Sequence, residues 1–350
     1  MIRPLLHTAL AVLAGLAAAT ALAAGRAHSE SLPQSMQAAA IDQAGDASVI
    51  KLHTLPVPRP DAGEILIRLH AAGVAPWDVD VRKRPAELKN SRFPLILGTD
   101  GAGTVVAVGT GVQGFAAGDE VYSYSWDNPK GGFYAEYACV PAERVGHVPH
   151  GMSLRDAGAI ATTALTAQQG VEDALHIKPG ETLLIHGAAG GVGTLAVQFA
   201  KLRGARVLAS VSGEDEIALV KGLGADVVID GRHGDLTAAA RAFAPQGLDA
   251  VLALAGGDAL EHGIDALKDG GRVAYPSGVR PVPKTRDGLN LIRYDAIAGP
   301  KEYQHLNAAI EAMPFRVPIA AQYPLAEAAQ AQQRVEAGHV PGKVILQIIP

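Results

Sequence analysis

Apolar Ile65, Ile67 and Leu69 alternate with Leu66, Arg68 and His70, the period of a strand with one buried face. Glycines at 98, 101, 103, 109 and 111 punctuate a Val-rich run at 104–108. Up to about residue 150 the chain therefore predicts short strands and tight turns, a small barrel or sandwich. Pro56, Pro58 and Pro60 mark an extended connection, not a strand interior. Near residue 150 the period changes. Ser153 and Asp156 have the spacing of a capping box, and an Ala-rich helix follows through Gln168 and Gln169. Strands are then predicted at 182–186, 206–211, 227–229, 248–255 and 272–275, with helices at 194–202, 214–223 and 259–267. Such alternation makes an α/β domain, a doubly wound parallel sheet with helices on both faces. From Pro324 the tail predicts one amphipathic helix and an apolar strand at 343–349.

The first residues stand apart from these periods. Arg3 precedes an uncharged Leu- and Ala-rich run at 4–25, and Ala21-Leu22-Ala23 has the small-x-small pattern of a cleavage site. A cleaved secretory leader over 1–24 is expected, which would place the protein outside the cytoplasm, in a periplasm. An uncleaved anchor is one alternative. A cytoplasmic protein starting at Met36 is another. No twin-arginine pair is present, so export of a folded, cofactor-loaded chain is not indicated.

The 350 residues are enough for two domains, and 48% hydrophobic with 19% charged residues supports a sizeable core. A net charge of −5, with no basic run longer than Arg82-Lys83-Arg84, argues against a nucleic-acid surface or an anionic-membrane surface. No stable membrane insertion of the mature domain is expected. A single cysteine, Cys139, excludes an internal disulfide framework and any multi-thiolate metal centre.

The chemistry concentrates after the strand at 182–186, where the chain reads Gly187-Ala188-Ala189-Gly190-Gly191-Val192-Gly193. Between a strand and a helix, inside a βαβ unit, this spacing is a dinucleotide-binding fingerprint. Gly190 allows a pyrophosphate close to the backbone, Gly193 lets helix and strand pack, and the helix N-terminus attracts the phosphate charge. A glycine-rich turn without a ligand is the alternative. At the end of the next strand, where NAD sites carry an acid, stands Val211, flanked by Ser210 and Ser212. With no carboxylate there, a 2′-phosphate is accommodated, and Arg232 after the third strand is a candidate partner or else a solvated surface charge. NADPH is the expected cofactor, with Glu214 and Asp215 nearby weighing against it.

From about Met36 onward the chain resembles the zinc-free quinone oxidoreductase branch of the medium-chain dehydrogenase/reductase superfamily. The matching segments include residues 72–78, Pro94 to Gly103, Gly118-Asp119-Glu120-Val121-Tyr122, residues 186–201, Leu223-Gly224-Ala225-Asp226 and Gly338-His339-Val340-Pro341-Gly342-Lys343. The resemblance implies a Rossmann NADP-binding domain over 153–311, inserted in a GroES-like β-barrel domain over 36–152 that is completed by 312–350. The cofactor would lie in the cleft between them. In zinc-dependent relatives the ligand positions correspond to Ala75, Thr99–Asp100 and Thr162, a set that cannot supply a tetrahedral N/S site. No metal is therefore expected.

Without a Lewis acid, the practical acceptor is a small-molecule quinone or conjugated carbonyl, whose charge moves to an oxygen on hydride attack. The resemblance places Thr166, Ala189, Gly190, Gly191, Val192, Gly193, Gly256, Pro276, Ser277 and Lys343 beside the cofactor, joined by Ser210, Ser212 and Arg232. Tyr124 and Tyr134 are the candidate proton donors and Asp78 a further catalytic candidate, each with a core or turn-stabilising role as the alternative. The chain departs from the family in having Ala75 where an asparagine is frequent. A non-catalytic NADPH-binding sensor or scaffold is the rival reading. Relatives commonly dimerise by pairing Rossmann sheets edge to edge, which makes a homodimer the expected assembly.

Overall fold

The computed structural model describes residues 32–349, apart from 90 and 285. The expected leader and its cleavage site lie outside the described residues. Six parallel strands make one sheet: β1 (Thr182–His186), β2 (Arg206–Val211), β3 (Val227–Asp230), β4 (Leu248–Ala253), β5 (Leu267–Pro276) and β6 (Asn290–Tyr294). Their order is β3-β2-β1-β4-β5-β6. All five residues of β1 are buried, because a parallel strand covered by helices on both faces has no solvent side to alternate with. The order reverses between β1 and β4, and the crevice beyond their carboxyl ends is where such sheets take ligands.

The second layer is a mostly antiparallel sheet. Its order is Ile319–Pro324, Lys343–Gln347, Glu64–Val74, Asp100–Val108, Glu120–Tyr124 and Val145–His147, with Tyr137–Pro141 also paired to Glu64–Val74. A three-stranded sheet of Lys51–Pro56, Ser35–Ile41 and Leu95–Ile96 packs beside it. Both ends of the chain thus build one β domain, and the whole of Ser35–Pro350 forms a single compact unit. Arg82, fully buried, ties the two contributions together. Its guanidinium donates to Gln332 Oε1 at 2.7 Å and to Glu336 Oε2 at 2.9 Å, across 250 residues of chain.

Several boundaries differ from the sequence pattern. The strand at Ile65 is buried on both faces at its start, Leu66 included, and is paired along both edges. The helix expected over 259–267 stops at Ile264, because Leu267 pairs with Leu248 and begins β5. Helices Leu236–Phe243 and Pro300–Glu311 and strand β6 lie beyond the expected elements, although both helices carry an amphipathic pattern, with Leu236, Ala240 and Phe243 buried on one and Tyr303, Leu306 and Ile310 on the other. The helix Leu154–Gln169 starts as expected, with Ser153 Oγ accepting from Asp156 N at 3.1 Å. Its core-facing residues join a hydrophobic cluster containing Tyr122 and Ile345 as well as β1 and β2 side chains, so it cements the two domains. Among the described residues, no helix is long and apolar enough to cross a membrane.

Candidate functional site

The loop from Gly187 to Val192 leaves β1 and enters the helix Gly193–Leu202. Gly187 N and Ala188 N both donate to Ser210 O, at 3.1 and 3.0 Å, which clamps the loop to β2. A Cβ on Gly193 would stand 2.6 Å from Ala188 Cα, so only glycine lets the helix start this close to the loop. A Cβ on Gly190 would meet nothing nearer than 3.6 Å, which leaves that face open to an approaching group. The N–H groups of Val192 and Gly193 have no acceptor among the described residues. Two unpartnered amides at a helix start are a fitting cradle for a pyrophosphate.

The segment 339–343 runs along this loop. Gly342 N donates to Ala189 O at 2.8 Å, Gly342 bridges to Gly190, and the Lys343 stem occupies the space a side chain on Gly191 would need. At its other end, His339 meets the end of β2. Ser212 Oγ lies 3.2 Å from His339 Nδ1, and Arg232 Nη2 touches both ring nitrogens, 3.2 Å from Nδ1. Ser212 also directs its N–H, at 2.8 Å, and its hydroxyl, at 3.2 Å, to Glu216 Oε2. Ser210 is buried and serves the loop through its carbonyl. Ser212 and Arg232 come together as expected. His339 joins them, and its only trace in the sequence was membership of the Gly338–Lys343 segment.

On the β-domain side, three ionisable groups are enclosed together. Asp78 is 1% exposed; its Oδ2 accepts from Ala75 N at 2.8 Å and from Tyr134 Oη at 3.0 Å. Burial, with the Asp100 charge adding, pushes the Asp78 carboxyl up to about 7. Asp100 is wholly buried and also raised by burial, while Lys343 and the Thr162 amide at 3.2 Å pull it back. A Cβ on Gly73 would come within 2.6 Å of Asp100 Oδ1, so a glycine makes the room for that carboxylate. The ammonium of Lys343, a residue only 4% exposed, makes no hydrogen bond among the described residues. Its Nζ lies 5.9 Å from the Trp77 ring centroid, and Trp77 Nε1 donates to Thr99 Oγ1 at 2.7 Å.

The two tyrosines separate sharply. Tyr134 is wholly buried and committed to Asp78, and burial holds its phenol far above the ordinary range. Tyr124 is part-exposed, and its hydroxyl has no partner among the described residues. It lies within the electrostatic reach of Asp100 on one domain and Asp295 on the other, and burial lifts it to about 12. It therefore carries its proton throughout the neutral range.

The remaining cofactor candidates divide as well. Thr166 is buried, and its hydroxyl donates to Thr162 O at 2.8 Å. Pro276 ends β5, and Ser277 beyond it donates its hydroxyl to Asp295 and accepts from Arg293, both at 2.7 Å. Gly256 is packed against the 280–281 backbone, which alone explains why it has no side chain.

Asp100 and Thr162 are brought into contact, and Trp77 hydrogen-bonds Thr99, but this donor set does not fit zinc. It offers one carboxylate, hydroxyls and an alanine, with no thiolate or imidazole. No cluster of three metal-ligating side chains occurs among the described residues.

Comparison with known proteins agrees with this architecture. Residues 61–150 match the family described as alcohol dehydrogenase GroES-like domain, and residues 191–292 match zinc-binding dehydrogenase. The quinone oxidoreductase of Sus scrofa is 31% identical over 324 residues, covering 89% of this chain and 97% of that protein. The 2-methylene-furan-3-one reductase of Solanum lycopersicum is 32% identical over 343 residues, covering 95% and 84%. A mycobacterial protein solved in complex with NADPH superposes with a TM-score of 0.78 at 29% identity, covering 89% of this chain and all of the other.

Proposed function

Because this chain is an oxidoreductase belonging to the medium-chain dehydrogenase/reductase superfamily, with quinone oxidoreductases among its relatives, we propose that it is an NADPH-dependent, zinc-independent reductase of quinones or α,β-unsaturated carbonyls. The observation that carries this reading is the pairing of an open phosphate cradle with a donor set unsuited to zinc. A conjugated acceptor needs no Lewis acid, since the charge from hydride addition delocalises onto an oxygen. The names of the pig and tomato relatives describe such acceptors, and the mycobacterial neighbour binds NADPH.

The bound nicotinamide supplies the hydride. The chain's own residues position and balance charge. The Val192 and Gly193 amides receive the pyrophosphate, and Ser212 and Arg232 receive the 2′-phosphate. Tyr124 holds a proton at Oη facing the cleft and releases it to the oxygen that gains charge. Asp78 is a positioning residue: it fixes the Ala75 backbone and the Tyr134 hydroxyl, and so the wall beside Thr99. Among the described residues the outer edge of β6 is unpaired, in keeping with a homodimer.

The test is NADPH oxidation by the purified protein, followed through nicotinamide absorbance, with a simple quinone and a simple enone as acceptors. Acceptor-dependent oxidation that survives a strong chelator is expected. Binding of NADPH without oxidation on either acceptor would replace this reading with that of a cofactor-holding module.

A further inference from the structure

The contact between Arg232 and His339 joins two nitrogen bases with no acid between them. Among the described residues neither side chain takes part in an ion pair. The two carboxylates hydrogen-bonded to Arg232 and to Ser212 are already engaged. Asp230 accepts from Arg232 N at 2.9 Å and pairs with His233, and Glu216, 5% exposed, accepts from Ser212. A guanidinium and an imidazole that face the same exposed space, beside a serine hydroxyl, offer donors to one tetrahedral anion.

The two side chains also come from different domains. Arg232 follows β3 of the nucleotide-binding sheet, whereas His339 lies in the tail segment that completes the β domain. His339 is presented with φ of +50°, and Arg334 holds the turn by donating to Gly338 O and His339 O, both at 2.8 Å. Four residues later the same segment reaches the glycine loop through Gly342 and Lys343. Extended chain of that length spans at most about 14 Å, so one strap follows the cofactor groove from the end of β2 to the pyrophosphate cradle.

We infer that His339 is a specificity-determining residue for the 2′-phosphate of NADPH, closing over it from the β domain while Arg232 holds it from the nucleotide-binding domain. The inference rests on the NADPH reading above. The phosphate then joins the two domains, and NADH, lacking it, leaves the Arg232–His339 pair without its anion.

Calorimetric titration of the full chain with NADPH, NADH, 2′,5′-ADP and 5′-AMP separates the two claims without requiring turnover. His339→Gly is the deletion of choice, because a positive φ costs glycine nothing, and His339→Asn keeps a donor in a residue that tolerates the same conformation. His339→Gly should weaken NADPH and 2′,5′-ADP by roughly tenfold or more, leave NADH and 5′-AMP unchanged, and His339→Asn should recover part of the loss. Arg232→Ala should erase the preference for NADPH, and the double variant should lose less than the product of the single losses, because both groups grip one phosphate. If the unaltered protein binds NADPH no better than NADH, the NADPH reading falls and this inference with it. If it prefers NADPH and Arg232→Ala removes that preference, but His339→Gly binds NADPH as before, the inference alone is overturned. Equal weakening of NADPH and NADH by His339→Gly, in a protein with an unchanged melting temperature, would likewise overturn it.

Discussion

At the Trp77 end of the segment 339–343 the charged groups are enclosed. Asp78, Asp100 and Lys343 are each at most 4% exposed. At the Ser212 end, Arg232 and His339 lie in solvent. A charge taken out of water must be matched by other charges and by hydrogen bonds, so the enclosed end is coupled to the stability of the β domain. A charge left in water costs little to keep without a partner and is free to await a ligand. The segment 339–343 therefore links a region where substitution threatens the fold to a region where substitution is expected to leave the fold intact.

The largest effect should come from the enclosed side. Arg82→Ala removes a fully buried guanidinium and leaves Gln332 and Glu336 facing an emptied space. A loss of about 3–5 kcal/mol is expected in denaturant unfolding, and a value under about 1 kcal/mol would show that burial here does not enforce pairing. Next is Tyr124→Phe, which should slow acceptor reduction roughly a hundredfold while scarcely changing stability. Tyr134→Phe should do the reverse, costing about 1 kcal/mol or more of stability through the lost bond to Asp78. Equal rates for Tyr124→Phe and the unaltered protein would assign the proton to solvent.

A smaller effect follows from Asp78. Its folded carboxyl titrates near 7, above its ordinary value of 3.8, so folding favours the protonated form. The corresponding stability is complete below about pH 4 and is lost as pH rises through about 7, with a slope of at most about 1.4 kcal/mol per pH unit. Asp78→Asn keeps an oxygen toward Ala75 N and should flatten that slope relative to the unaltered protein. Thermal melts of both across this range give the comparison, and parallel curves would remove Asp78 from the account. Smallest is Ser212→Ala. Its hydroxyl already donates to Glu216, so NADPH affinity should change by no more than about threefold.

Much of this organisation was legible beforehand. The β1 run, the glycine loop and the helix after it announce themselves, because each is a local solution: an apolar strand, a turn without side chains, a helix start with free amides. Strand β6 was not, since a short mixed segment takes its structure from the sheet it extends, whereas Leu236, Ala240 and Phe243, behind the Asp235 cap, have a helical spacing that could have been read. Of the site, Ser212, Arg232 and Lys343 could be named from spacing and resemblance. That Tyr134 is wholly buried and hydrogen-bonded to Asp78, while Tyr124 is part-exposed with a hydroxyl free among the described residues, could not be read, because the two phenols are alike in sequence and differ only in their folded surroundings.

The order of residues was thus enough to point to the family, the α/β class, the glycine loop and a set of side chains without thiolate or imidazole at the positions of Ala75, Thr99–Asp100 and Thr162, since these depend on periodicity and on which atoms each side chain carries. Folding settled the rest. It brought Asp78 and Asp100 together with Lys343 across more than two hundred residues of chain, and set His339 against Arg232 over 107 positions. Charge compensation and shared ligands act through distances of a few ångströms, and such distances between remote residues exist only once the C-terminal tail has packed back onto the rest of the fold.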